Sequence, residues 1–238
     1  MNFETFNFHP SVAAGIAAAG YETPTPIQAR AIPQVVNGRD VMGLAQTGTG
    51  KTAAFALPIL NRLVRGTFGC VRALIIAPTR ELAEQIHQAI ETLGRKTRIR
   101  SVTVYGGVGI NPQIQKLKHA DIVVACPGRL LDHIRRGNID LSQLEVLVID
   151  EADRMLDMGF IPDIRQILKH LPAKHQTRVF SATMPPQIRR LAGDILRDPA
   201  TVQVGITAPA DTVSHALYPV ARHLKTALLL TLLGNTNT

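Results

Sequence analysis

The sequence predicts an α/β fold, a mostly parallel central sheet flanked by helices on both faces. Runs such as Leu74-Ile75-Ile76 and Leu147-Val148-Ile149 are continuously apolar and suit strands covered on both sides, not a half-wet sheet. Helical stretches long enough to serve as crossovers separate these runs, so the chain reads as repeated βαβ units. With 238 residues, 45% of them hydrophobic, the chain has material for one large core or two small ones. The same composition excludes a disordered chain, a collagen-like chain and a disulfide scaffold.

In chain order, a strand at Asp40 to Leu44 runs through a glycine-rich turn into a helix at Lys51 to Val64. The apolar run Ala73 to Ala77 precedes a helix at Arg80 to Leu93, and Ser101 to Tyr105 precedes one at Pro112 to Lys118. Strands follow at Ile122 to Ala125, Val146 to Ile149 and Arg178 to Ser181, each feeding a helix: Arg129 to Arg136, Gly159 to Leu171 and Gln187 to Leu196. Thr201 to Val204 closes the series. Small residues and a proline over Gly205 to Asp211 read as a linker. The chain then restarts at Ala216 to Val220 and enters a leucine-rich helix at His223 to Leu233, the approach to a further domain.

The 26 Lys and Arg against 18 Asp and Glu leave a formal charge of +8, which makes a polyanion such as nucleic acid a plausible partner. Cys70 and Cys126 are isolated in apolar stretches and read as buried reduced thiols, fitting a cytoplasmic protein without a cysteine metal site. The N-terminus has no basic start of a secretory signal. The apolar run Ala227 to Leu233 is far shorter than the roughly 20 residues a membrane span needs, so no membrane association is expected.

Ala45-Gln46-Thr47-Gly48-Thr49-Gly50-Lys51-Thr52 lies between a strand and a helix. Glycines let backbone fold around phosphate oxygens, and the free amides of the helix N-terminus point at the anion. Lys51 is placed to reach β- and γ-phosphates and Thr52 to offer its hydroxyl to Mg²⁺. Asp150 and Glu151 end an apolar strand, where a carboxylate can hold Mg²⁺ and a second can orient or deprotonate water. Asp153 reads equally well as a helix cap or a loop brace. In Gly20-Tyr21-Glu22-Thr23-Pro24-Thr25-Pro26-Ile27-Gln28, the Gln28 amide can bond N6 and N7 of adenine together, and Phe3 could stack on the base. Without that context Gln28 is an exposed helix residue and Phe3 a core anchor.

These segments resemble the DEAD-box RNA helicases, and within them the bacterial RhlE-like subgroup. The likeness rests on Gly20-Tyr21-x-x-Pro24-Thr25-Pro26-Ile27-Gln28, the Ala45 to Thr52 loop, Pro78-Thr79-Arg80-Glu81-Leu82-Ala83, Gly106-Gly107, Pro127-Gly128-Arg129, Asp150-Glu151-Ala152-Asp153 and Ser181-Ala182-Thr183, in that order. It implies an ATP-dependent RNA helicase made of two RecA-like domains. Residues 1–205 would be the N-terminal RecA-like P-loop domain, with the adenine-reading region in 1–29. Residues 206–238 would be the linker and the start of the C-terminal RecA-like domain, the partner that brings an Arg finger.

The resemblance implies ATP and Mg²⁺ as ligands. Phe3, Thr23, Gln28, Gln46, Thr47, Gly48, Thr49, Gly50, Lys51, Thr52 and Ala53 would hold the nucleotide, and Thr52 and Asp150 the metal. Lys51, Asp150 and Glu151 would serve catalysis, while Asp153, Ser181 and Thr183 would couple the ATP site to RNA. Pro78, Thr79, Arg80, Gly106, Gly107, Gly128 and Arg129 would line a path for the RNA backbone, blind to base identity. The family usually has Thr where this chain has Cys126, so a hydroxyl contact to RNA phosphate is missing there. Arg80 also reads as a helix-start residue answering Glu84. The clusters Arg95 to Arg100, Arg135-Arg136 and Arg189-Arg190 read as solvated surface, or alternatively as a general attraction for RNA.

Overall fold

The computed structural model describes residues 2–205 and 216–235. The chain divides after Gly205 into two units. In the first, a short 3-10 turn at Phe3–Phe6 leads to α1 (Pro10–Ala18) and α2 (Pro26–Val36). Then come β1 (Val41–Leu44), α3 (Lys51–Leu63), β2 (Ala73–Ile76), α4 (Arg80–Gly94), β3 (Ser101–Val104) and α5 (Ile110–Leu117). The remainder is β4 (Ile122–Ala125), α6 (Pro127–Arg135), β5 (Val146–Ile149), α7 (Ala152–Asp157), α8 (Ile161–Leu168), β6 (Gln176–Ser181), α9 (Pro186–Ile195) and β7 (Ala200–Gln203).

The seven strands form one sheet in the order β3-β4-β2-β5-β6-β1-β7, and every pairing is parallel. Successive strand residues face opposite layers. Ile75, Val124, Val148 and Phe180 join α1, α3 and α4 in one core, whereas Leu74, Ile76, Val123, Leu147, Ile149 and Val179 join α6, α8 and α9 in the other. Hence β2, β4 and β5 are buried throughout, and the apolar runs are explained by two covered faces. The edge strand β7 alternates buried and exposed residues instead.

All seven expected strands are present; β4 and β5 have the expected bounds, and the ends of the other five are shifted by one or two residues. Two helices went unpredicted at the N-terminus, although α2 opens on half of a capping box: the Gln28 side chain accepts the Thr25 N–H at 3.0 Å. The expected Gly159 to Leu171 helix is shorter, at Ile161–Leu168, because Gly159 takes φ +77 and ends the separate turn of α7 before Pro162 restarts the chain. Most of the proposed linker (206–211) lies outside the described residues. In the second unit, residues 216–220 have no regular structure, and a 3-10 turn at Arg222–Leu224 leads into α10 (Lys225–Asn235). Among the described residues no helix is long and apolar enough to cross a membrane.

α1 packs on α4 through Gly15, where a Cβ would overlap the carbonyl oxygen of Leu93. Backbone cannot yield as a flexible side chain can. Gly15→Ala is therefore expected to cost roughly 1–3 kcal/mol, read as a lower midpoint in urea denaturation with an unchanged slope.

Candidate functional site

Every segment that carries the family resemblance, except the Gln28 region, lies at or just after the C-terminal end of a strand, the rim where open parallel sheets bind ligands. Because β6 lies between β1 and β5, the loop after β1, the acids after β5 and Ser181 at the end of β6 converge. Gly48 and Gly50 take φ +84 and +92, backbone that a side chain would strain, and Gly50 caps α3. Lys51 is buried and its Nζ donates to the Ala45 carbonyl at 2.9 Å, closing the loop over itself. Thr49 Oγ1 donates to the Gln46 carbonyl at 2.8 Å. Thr52 and Ala53 occupy the first turn of α3, and Thr47 and Gln46 are exposed on the loop.

Thr47 Oγ1 donates to Glu151 Oε1 at 3.1 Å, so loop and acids touch. Glu151 sits in left-handed backbone at φ 51, uncommon for a residue with a side chain, and Arg154 Nη1 donates to its Oε2 at 2.9 Å. The pairing with Arg154 is an i,i+3 spacing legible in the sequence that went unread. Asp150 is buried, and its Oδ1 accepts the Glu151 N–H at 3.0 Å. Burial pushes its carboxyl from 3.8 up to about 6, with the nearby Lys51 acting in the opposite direction.

Asp150 and the Thr52 hydroxyl are hard oxygen donors of the kind Mg²⁺ takes, and the Asp150 charge lacks an ion pair among the described residues. No group of three or more His, Cys, Asp or Glu is arranged to hold a metal among those residues. A magnesium ion here would therefore share phosphate oxygens and water as ligands, the usual way that ion is bound. The residues present fit it.

Ser181 Oγ accepts the Asp153 N–H at 3.2 Å, and Thr183 donates both its N–H and its hydroxyl to Asp153 Oδ2, each at 2.9 Å. Burial raises the Asp153 pKa, but these hydrogen bonds outweigh it and hold the carboxyl below its ordinary value. The bracing role left open for Asp153 is thus the one its contacts have.

Gln28 is buried, not exposed: its Nε2 donates to the Gly50 carbonyl at 3.0 Å while Oε1 accepts from Thr25. Each amide atom keeps one further hydrogen-bond position, one donor and one acceptor, the pair adenine needs. Phe3 is 7% exposed and packs edge-on to Phe6 and Tyr21 at 5.9 and 6.1 Å. It also lines a cavity of about 530 Å³ with Tyr21 and Glu22, next to Thr23, which is exposed.

The other half of the rim gathers the segments after β2, β3 and β4. Arg80 lies over the Tyr105 ring at 5.1 Å, and Glu84 accepts the Tyr105 hydroxyl at 2.7 Å instead of answering Arg80. Gly107, at φ +79, leaves only 3.2 Å between an added Cβ and Arg80. Arg129 Nη1 donates to the Val108 carbonyl at 3.0 Å, joining the glycine loop to α6. Thr79 caps α4, with Oγ1 accepting the Leu82 N–H; Pro78 is buried, whereas Gly106 and Gly128 are exposed. Cys126 is half-buried, and burial first, with help from Glu81, pushes its thiol up to about 11. Tyr105 was missed because it read as the last residue of a strand.

An all-parallel sheet with a glycine loop and a strand-end acid pair in contact defines a P-loop domain of the RecA-like type. The family described as DEAD/DEAH box helicase matches residues 25–191. DEAD-box ATP-dependent RNA helicase RhpA of Helicobacter pylori is 43% identical over 234 residues, which cover 98% of this chain and 47% of that protein. DEAD-box ATP-dependent RNA helicase CshA of Geobacillus kaustophilus is 47% identical over 203 residues, covering 85% and 43%. The crystal structure of a DEAD box protein from the hyperthermophile Methanococcus jannaschii superposes with a TM-score of 0.83 at 38% identity, covering 99% of this chain and 64% of that one. The chain belongs to the DEAD/DEAH box helicase family. It spans about half the length of the curated relatives it matches.

Proposed function

We propose that this chain is the nucleotide-binding half of a cytoplasmic ATP-dependent RNA helicase, which binds Mg-ATP and one stretch of RNA backbone. The observation that carries the reading is the contact between Thr47 and Glu151, which unites the phosphate-type loop with the acid pair. Gly48, Gly50 and the first amides of α3 would receive the phosphate tail, with Gln46, Thr47, Thr49 and Ala53 along it. Lys51 keeps donors beyond the one spent on Ala45 and would direct them at the β- and γ-phosphates. Gln28 would read adenine with its two remaining amide positions, Phe3 and Thr23 bordering the base. Thr52 and Asp150 would hold magnesium, which when bound neutralises charge on the β- and γ-oxygens.

Glu151, held by Thr47 and Arg154, would orient the attacking water and accept its proton. The bonds of Ser181 and Thr183 to Asp153 connect the ends of β5 and β6, and would carry the state of the nucleotide to the RNA side. There Pro78, Thr79, Arg80, Gly106, Gly107, Gly128 and Arg129 would line the backbone of a strand, without reading its bases. Cys126 adds a neutral thiol at that rim, where a hydroxyl would make a stronger bond to phosphate. A second RecA-like domain, outside this chain, would supply the Arg finger for hydrolysis.

Titration calorimetry on the 238-residue chain tests the reading. The expected result is binding of Mg-ATP with far weaker Mg-GTP, since guanine offers two acceptors where Gln28 needs one of each kind. Equal affinity for both would overturn the base assignment. Duplex unwinding by this chain alone would overturn its dependence on a second half.

A further inference from the structure

The opposite rim of the sheet, at the N-terminal ends of the strands, contains a second concentration of positive charge that none of the preceding roles uses. Arg178, in β6, lies on the same face as Phe180, beneath α3, and is 1% exposed. Its Nη1 donates to the Phe55 carbonyl at 2.9 Å and its Nη2 to Gln176 Oε1 at 3.1 Å, but its Nε has no partner. Among the described residues no carboxylate is within ion-pairing distance of it.

A buried cation without an ion-pair partner is costly. Burial, and next the neighbouring Arg62, lower the Arg178 pKa to about 9 against the opposing charge of Asp40, so the group remains charged at neutral pH. Arg178 lines a cavity of about 270 Å³ together with Asn61 and Arg62 of α3, Arg65 just beyond the end of that helix, and Gln176, and no acid lines that cavity. Arg62 and Arg65 form no ion pair among the described residues.

The acids nearby make their hydrogen bonds and ion pairs with other groups. Asp40 accepts the backbone N–H groups of Thr177 and Arg197, both at 2.8 Å. Glu145 is paired with Arg72 at 2.6 Å, and Asp198 faces Arg39 at 3.7 Å. A wider cavity of about 600 Å³ shares Arg62 and Gln176 with the first and adds Arg39, Lys174 and Arg197, along with the three acids just named, Asp40, Glu145 and Asp198.

We propose that the pocket walled by Arg62 and Arg65, with Arg178 at its floor, binds a phosphate group on the rim of the sheet opposite the nucleotide loop. Guanidinium forks match phosphate oxygens in geometry and charge, and the ligand's charge would answer the buried one beneath it. The phosphate comes either free in solution or from a nucleic-acid strand. The inference does not depend on the nucleotide reading.

The test uses the Lys51→Ala chain, in which the nucleotide loop has lost its lysine, and follows thermal unfolding with added inorganic phosphate and, separately, with short single-stranded RNA. Ligand that binds only the folded state raises the midpoint. The midpoint is expected to rise, and Arg65→Ala to weaken the ligand by about tenfold, as loss of a charge-assisted bond does. Arg178→Leu is expected to raise the midpoint without ligand and to abolish the response. A response to inorganic phosphate identifies free phosphate as the source, and a response to RNA alone identifies the strand. Loss of both responses on Lys51→Ala, or responses that neither arginine substitution alters, would overturn the proposal. If Arg178→Leu does not fold, Arg65→Ala decides by itself.

Discussion

Lys51→Ala is expected to weaken Mg-ATP binding on the order of a hundredfold, because two charge-assisted bonds to phosphate are lost together. The side chain is buried and already closes the loop through the Ala45 carbonyl, so it is held in place before the ligand arrives. Preorganisation of this kind puts the gain from each bond into affinity, with little spent on ordering the side chain. Calorimetry of the variant against Mg-ATP and Mg-ADP reads the loss directly. The γ-phosphate bond is absent with ADP, so the penalty should be smaller there. An equal, slight loss for both nucleotides would place Lys51 away from the phosphates.

Asp150 should make the stability of the magnesium-free chain depend on pH. Its folded pKa, pushed by burial to about 6, lies above its ordinary 3.8. The fold therefore prefers the neutral carboxyl, and this contribution is fully present below about pH 4 and lost as pH rises through about 6. Asp150→Asn keeps the shape and removes the charge. At about pH 8 it should exceed the parent in stability by on the order of 3 kcal/mol, with the difference vanishing below about pH 4. Urea denaturation across that range measures it; a difference that stays constant with pH would contradict the origin given. The same substitution should remove the metal dependence of ATP binding, so stability is gained where function is lost.

Much of this was legible because the informative features are local. A glycine loop between an apolar strand and a helix, or an acid pair at a strand end, is a statement about adjacent residues. Tertiary placement is a different matter. The burial of Gln28 depends on α2 lying against Gly50, and the stacking of Arg80 on Tyr105 depends on the separation of β2 from β3 by β4. Neither follows from spacing along the chain. Arg178 stands beside Val179 and Phe180 in β6, yet only the strand order reveals that it lies under α3 without a carboxylate in ion-pairing reach. α7, six residues long, lacks a full amphipathic period and left no signature to read.

A crystal structure of this chain grown with magnesium and a non-hydrolysable ATP analogue examines the account at its root. It should show the triphosphate against the amides of Gly48 to Thr52, Lys51 turned onto its oxygens, and the ion between the Thr52 hydroxyl and the Asp150 side. Nucleotide bound at any other edge of the sheet, with that loop still closed on Lys51, would contradict it.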